Sequence, residues 1–143
     1  IRLYINSPGG DMTALFAIYD TMQLLRCDVA TFCIGQAASA AAVILAGGTK
    51  GKRFALPNSR VLIHQPHGGA QGQTKDMELA VKEMVLMRER MTLALAEDTG
   101  QTVEQIAIDI DRDFILRGED AVAYGLVDEI LTKQDALPVE ALR

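Results

Sequence analysis

The chain has 143 residues, 49% of them hydrophobic and 23% charged, and carries a formal net charge of −5. That length and balance suit one globular domain with a real core and exclude a disordered chain. The acidic balance argues against nucleic acid or anionic lipid as the main partner, and no apolar run approaches the ~20 residues of a membrane span.

The chain opens on Ile1 inside an apolar strand pattern, without a Met and without the basic segment that begins a signal peptide. It is expected to be a fragment, or a chain whose start lies upstream. Ile1 to Ile5 reads as a strand with Leu3 and Ile5 on one face. Asn6-Ser-Pro-Gly-Gly10 breaks it, because Pro8 lacks a donor and Gly9-Gly10 permit unusual dihedrals. Met12 to Leu25 is a predicted helix, with Met12, Leu15, Ile18, Tyr19, Met22 and Leu25 on one stripe and Asp11 or Thr13 as its cap. The spacing of Cys27 and Cys33 fits neither a redox pair nor a zinc knuckle, so both are expected as reduced thiols of a cytosolic-type protein. Val29 to Ile34 is the second strand.

The stretch Gly35-Gln-Ala-Ala-Ser39-Ala-Ala-Ala-Val-Ile-Leu-Ala46 sets one hydroxyl in a run of small and apolar residues. Its alanine content predicts a tight turn and then a helix from Ser39 or Ala40, apolar on every face and therefore buried. A Ser at that point has free backbone N–H groups beside it and the positive end of the helix dipole behind it. A nucleophile benefits from that setting because negative charge develops on the attacked carbonyl oxygen. The plainer reading is an N-cap, which most Ser at helix starts are. Gly47-Gly48 stops the helix.

Lys52 to Leu56 reads as a short strand, Pro57-Asn58 as a turn, and Val61 to Ile63 as a strand ending at His64. This alternation of strands and helices predicts an α/β fold with largely parallel crossovers. Pro66 to Gly72 is a glycine-rich loop or irregular edge strand. Asp76 to about Thr99 is one long helix closed by Gly100, with a stripe of Ala80, Met84, Met87, Met91, Ala94 and Leu95. A Met-rich helix of that length suits either a core or a subunit interface. Thr102 and Gln105 fit a capping box for a short helix to about Ile110. Asp109 to Asp113 is a charged turn, Glu119 to Tyr124 a last helix stopped by Gly125, and Leu126 to Leu131 a last strand before a polar tail after Lys133. No repeat, low-complexity tract or linker interrupts residues 1–143, which read as a single domain.

Ser39, His64 and several Asp supply the residue types of hydrolysis. His64 ends a strand beside a turn, a common place for a catalytic base and also for a hydrogen-bonded core histidine. His64 and His67 raise the question of a metal. No Cys or carboxylate cluster stands beside them in sequence and their spacing across Pro66 is not a helical pair, so no metal is expected. The run Gly47 to Arg53 fails the phosphate-loop pattern, with Ala46 where the first Gly belongs and Arg53 for Ser or Thr. Ala37 likewise breaks the G-x-S-x-G pattern around Ser39.

Taken in order, Asn6-Ser-Pro-Gly-Gly10, Ala17 to Met22, Gly35-Gln-Ala-Ala-Ser39, Gly51 to Asn58, His64-Gln-Pro66 and Asp111-Arg-Asp113 resemble the ClpP family, the proteolytic subunits of Clp proteases. The resemblance runs from Ile1 to about Leu131 and begins partway into the family's chain, beyond its axial loop, first helix and first strands. It implies the ClpP/crotonase-like fold of repeated strand-helix units with a protruding handle at about 65–99, which packs against the opposite ring. It implies Ser39 as nucleophile, His64 as base and Asp113 as the acid that orients the base, with Asp111 the nearby competitor. It further implies an oxyanion hole from the N–H groups of Gly10 and Ala40. Extended peptide would lie beside Gly9, Asp11 and Met12 on one side and Pro66, Gly68 and Gly69 on the other. Tyr4, Leu24, Phe32, Ile34, Phe54, Leu56 and Leu131 would line the pocket that docks a loop of an AAA+ unfoldase. Without the resemblance, Phe32, Ile34, Phe54 and Leu56 read as core.

The family also implies stacked heptameric rings, a cytoplasmic setting, unfolded polypeptide as substrate, and ATP used by the partner and not by this chain, which is expected to bind no cofactor. Asp11, Met12 and Leu15 stand where the family usually has Ser, Val and Gly; Ala40-Ala41 replaces Met-Gly, His67 a Leu, and Ile115 an aromatic. These changes are similar to subtype sequences that work beside a second ClpP subunit, which implies a mixed ring. Two alternatives stand beside the peptidase: a non-catalytic scaffold subunit of such a ring, and a crotonase-like acyl-CoA enzyme, which shares the fold and an oxyanion hole but has no need of Ser39, His64 and Asp113 together.

Overall fold

The computed structural model describes residues 1–132. In chain order the elements are β1 (Arg2–Ser7), α1 (Met12–Leu24), β2 (Ala30–Ala38), α2 (Ala40–Ala46), β3 (Arg53–Ala55), β4 (Arg60–Ile63), α3 (Thr74–Thr99), α4 (Val103–Asp109), β5 (Phe114–Arg117), α5 (Glu119–Tyr124) and β6 (Glu129–Ile130). The strands form one six-stranded sheet, and the fold is the α/β arrangement of a curled sheet and helices that the sequence implied.

β2 is the axis of that sheet. β1 runs parallel along one edge, from Arg2 opposite Ala30 to Ser7 opposite Ala37. The other edge is shared in succession: β3 takes Thr31 to Cys33, and β4 takes Gln36 to Ala38, both parallel. One long strand handing its edge from one neighbour to the next is what curls the sheet. The hand-over falls at Gly35, where the side-chain oxygen of Asn6 lies 2.6 Å from the position a Cβ would occupy and accepts from the Gln36 N–H at 3.2 Å. The β1–β2 register shifts there, between Ile5 and Ser7. Beyond β4 the sheet ends in antiparallel β5, and beyond β3 in parallel β6.

One expectation is corrected and one strand is new. The turn expected after Ile34 is absent, and β2 continues through Gly35-Gln-Ala-Ala to Ala38. Ladder partners on both edges and the packing of α2 above decide the conformation, and small residues are what that crowded place admits. The charged turn is present at residues 110–112 and leads into a strand that was not expected, β5, whose four residues pair with β4. Smaller differences concern the caps and the loop. Asp11 caps α1 by accepting from the Ala14 N–H at 2.8 Å. Thr102 caps α4, but Gln105 turns to Asp109 instead of closing the box. Residues 66–72 form no regular strand. The polar tail after Lys133 lies outside the described residues.

The core lies around α2, of which Ala40, Ala41, Ala42, Val43, Leu45 and Ala46 are buried. It packs on β2, α1 and the end of α3. Only the last third of α3 is in that core: its buried residues are Met91, Thr92, Ala94 and Leu95. Upstream, Leu79, Val81, Val85 and Leu86 are exposed, so the first half of a 26-residue helix presents apolar side chains to solvent.

A buried ion pair ties the far end of the sheet together. Arg53 is 4% exposed and grips Asp128 with two bonds, Nε to Oδ2 at 3.0 Å and Nη2 to Oδ1 at 2.7 Å. Its Nη1 donates to the carbonyls of Ala46 and Asp98, so β3, α2, α3 and the approach to β6 meet at one guanidinium. Asp128 Oδ2 also accepts from the Gly51 and Arg53 N–H groups. Burial pushes the Asp128 carboxyl up, but the bonds to Arg53 outweigh it and hold the group below the usual carboxylate range. A depressed carboxylate contributes stability above its unfolded pKa of about 3.9 and loses it as pH falls. Asp128→Ala, which strands a buried guanidinium, should therefore cost roughly 3–5 kcal/mol in urea unfolding at neutral pH. The deficit should shrink below about pH 4. A loss under ~0.5 kcal/mol would mean that the pair does not hold these elements.

Candidate active site

Ser39 is the hinge between β2 and α2. Its φ of 57° and ψ of −124° make it the one non-glycine residue with positive φ among the described residues. A side-chain-bearing residue holds such a conformation only when its surroundings impose it, at a cost of about 1–3 kcal/mol. The impositions are visible. The Ser39 N–H donates to the Leu62 carbonyl at 2.8 Å, and the Ser39 carbonyl accepts from the Ala42 N–H at 2.9 Å as α2 begins. Gly9 lies directly against the hinge: a Cβ there would stand 2.6 Å from the Ala38 oxygen and 2.8 Å from the Ser39 Cβ. The Ser39 side chain makes no cap bond, so the N-cap reading of its hydroxyl fails. The hinge is a sharp strand-to-helix turn of the kind that presents a nucleophile, although the sequence lacks the glycines that usually mark one.

Three strand ends send the candidate residues out of the sheet at the same end. Ala38 pairs with Leu62 in parallel β2 and β4, so Ser39 and His64 leave the sheet at the same end. Ile63 pairs with Phe114 in antiparallel β4 and β5, so His64, just after Ile63, faces Asp113, just before Phe114. One donor atom each from His64, His67 and Asp113 lie within 4.8 Å of one another. Asp111 is turned elsewhere: its carbonyl and carboxylate take the Gln65 side-chain amide at 3.2 and 3.4 Å. The Gln65 N–H donates to the Ile110 carbonyl and pins the two segments side by side.

His64 is half-buried, and its Nδ1 is buried without a hydrogen-bond partner. Burial pushes its pKa below the ordinary imidazole value, the neighbouring His67 pushes the same way, and Asp113 opposes both. The imidazole is therefore neutral at neutral pH and able to accept a proton. The two histidine rings stand 4.2 Å apart, tilted by 39°.

Two clefts flank these strand ends. One, of about 330 Å³, is lined by Gly9, Gly10, Asp11, Ala40 and the apolar face of α1. Gly10 and Ala40 thus border the same space, and the first N–H groups of α2, that of Ala40 among them, have no intrahelical acceptor. Met12 packs against the core instead of lining this cleft. The other cleft, of about 710 Å³, is lined by His64, Pro66, His67, Gly68, Asp111 and Asp113. Gly69 is exposed on the same loop, and Met84 of α3 lies against Gly68.

The apolar residues expected at a docking pocket divide. Phe32 and Phe54 are each 3% exposed, and with Ala30 and Leu131 they form a small second core. Phe32 stacks between Tyr4 at 4.8 Å and Phe54 at 5.0 Å. Tyr4, Leu24, Ile34 and Leu56 are exposed. The core reading thus describes Phe32 and Phe54, and only the other four offer open surface.

The residues alone did not announce the strain at Ser39, the steric role of Gly9 or the place of His67 beside Asp113. Of these only Gly9 left a signal, as a glycine in a turn. In comparison with known families, a model described as Clp protease matches residues 1–134.

The fit at the hinge is testable without any assay of activity. Gly9→Ala, placed at φ +98° against backbone, should cost roughly 1–3 kcal/mol in urea unfolding. Gly10→Ala, whose Cβ would meet open space, should stay within about 0.5 kcal/mol. Equal losses would show that Gly9 does not brace Ser39.

Proposed function

The chain belongs to the Clp protease family, and from that premise we propose that it is a serine endopeptidase working through Ser39, His64 and Asp113. The observation that supports this reading is the strand register, which sends Ser39 and His64 off the same end of the sheet with Asp113 facing His64. Ser39 Oγ attacks the scissile carbonyl while His64 takes its proton. The N–H groups of Gly10 and Ala40 receive the oxyanion, a contribution typically worth about 10²–10³ in rate per donor. His64 returns the proton to the leaving amine, and water then releases the acyl group by the same path in reverse. Asp113 is the better acid than Asp111, because its carboxylate is beside His64 while that of Asp111 is bonded to Gln65. Its bond to Nδ1 forms as substrate or a neighbouring subunit closes the site, since catalytic hydrogen bonds are often loose before then.

The substrate is extended, unfolded polypeptide, held between the Gly9–Asp11 segment and the Pro66–Gly69 loop. No helix among the described residues is long and apolar enough to cross a membrane. The chain works in the cytoplasm in stacked heptameric rings, of one subunit type or two, fed by an AAA+ unfoldase that consumes the ATP. The exposed Tyr4, Leu24, Ile34 and Leu56, floored by Phe32 and Phe54 and flanked by Leu131, suit docking of an apolar loop from that partner. The exposed apolar half of α3 suits contact with the opposite ring.

A second reading has one observation in its favour. His64 Nδ1 lacks an acceptor, and a triad left unaligned would make the chain a scaffold beside an active subunit. Mutagenesis in the assembled rings separates the two. Ser39→Ala should abolish peptide cleavage and leave assembly intact. Asp113→Asn should lower the rate about 10⁴-fold, whereas Asp111→Asn should stay within severalfold of the wild type. Cleavage by Ser39→Ala rings at the wild-type rate would establish the scaffold role, and a damaging Asp111→Asn would move the acid to that residue.

A further inference from the structure

We propose that His64, His67 and Asp113 form a binding site for a divalent transition metal of the Zn²⁺ class, and that the metal reversibly switches off the base of the peptidase. The second half rests on the reading of His64 given above; the site itself does not.

The sequence argued against a metal because no carboxylate stands near the His pair. The fold supplies one from 46 residues downstream of His67, across the β4–β5 pairing. Three potential donor atoms, one from each side chain, all lie within 4.8 Å of one another. Around a tetrahedral Zn²⁺ with bonds near 2.0–2.1 Å, donors stand about 3.3 Å apart. The remaining ~1.5 Å is within reach of side-chain rotation, because His67 and Asp113 are exposed and His67 sits on a loop carrying Gly68, Gly69 and Gly72. His64 is the fixed member, at the end of β4, with a buried ring nitrogen that no protein group engages.

Charge and hardness agree with the assignment. Two neutral imidazoles and one carboxylate are a borderline donor set that suits Zn²⁺, Cu²⁺ or Ni²⁺ and holds Mg²⁺ and Ca²⁺ poorly. The charged groups that face the cleft besides Asp113 are Asp111 and Arg112. Arg112 is 94% exposed and within 3.9 Å of Asp111, so its charge is directed to solvent and to that partner. Three protein donors leave a fourth position for water, and the cleft of about 710 Å³ is open enough to admit the ion.

The consequence for chemistry is direct. A metal on His64 either takes the lone pair that receives the Ser39 proton or draws Asp113 away from the imidazole. In both cases the base cannot cycle until the ion leaves. His67, which has no step in peptide hydrolysis, is the residue that makes this possible.

The test is Zn²⁺ binding to the full-length protein, measured by competition with a chelating indicator in a Cys27→Ser background that removes the exposed thiol. One Zn²⁺ per chain is expected. His67→Leu and, separately, Asp113→Asn should weaken it roughly tenfold or more, with no comparable binding of Mg²⁺. Unchanged affinity in both variants would overturn the site. Peptide hydrolysis then tests the switch: Zn²⁺ should inhibit, a chelator should restore activity, and His67→Leu should need about tenfold more Zn²⁺ for the same effect. Hydrolysis that persists with the site filled would overturn the switch. Normal Zn²⁺ binding by a protein without peptidase activity would instead count against the function proposed above.

Discussion

The backbone of Ser39 is the constraint from which much of this structure follows. A residue with a side chain is held at φ 57° at the point where a nine-residue strand becomes a helix. The hydrogen bond from its N–H to Leu62 fixes it to β4, and the first turn of α2 fixes it from the other side. The segment after β1 must then come close enough to brace it, which only a glycine at position 9 permits. Small residues along Ala37 to Ala42 follow from the same crowding, because sheet, helix and the Pro8–Gly10 turn share one small volume. Strain of this kind persists only when surroundings over-determine it, and here every neighbour does so through backbone atoms.

The acid–base half of the site is built differently. His64 and Asp113 are brought opposite one another by strand pairing, and the details lie with exposed side chains on a glycine-rich loop and a turn. Burial and His67 keep the imidazole neutral, while Asp113 favours its charged form. That balance suits a base that must accept a proton and then hold it briefly. The division makes physical sense: the rigid part positions the nucleophile, and the adjustable part answers to substrate, to a neighbouring subunit or to an ion. At the far edge of the sheet, Arg53 and Asp128 do the equivalent structural work with no part in the chemistry.

Much of this could be read from the residues. The order of the strands and helices other than β5, the buried α2, its stop at Gly47 and the end of α3 at Gly100 follow from periodicity and glycine placement. The extension of β2 over Gly35 to Ala38 could not be read so, because alanine has no preference for strand and the pairing that imposes it comes from β1 and β4. β5 was hidden by its brevity and the aspartates before it, since four residues at the edge of a sheet carry little pattern. Ser39, His64 and Asp113 were visible as residue types, but their convergence is a property of register, as is the meeting of His67 with a carboxylate so distant in sequence.

The proposed chemistry stands or falls on whether Ser39 is an activated nucleophile. A fluorophosphonate labels only such a hydroxyl, so the most direct measurement is labelling of the full-length protein, alone and with candidate partner subunits, with the modified residue located by mass spectrometry. Modification at Ser39 in the assembled ring is the expected result. An unmodified Ser39 in every assembly, under conditions where a known serine peptidase is labelled, would contradict it.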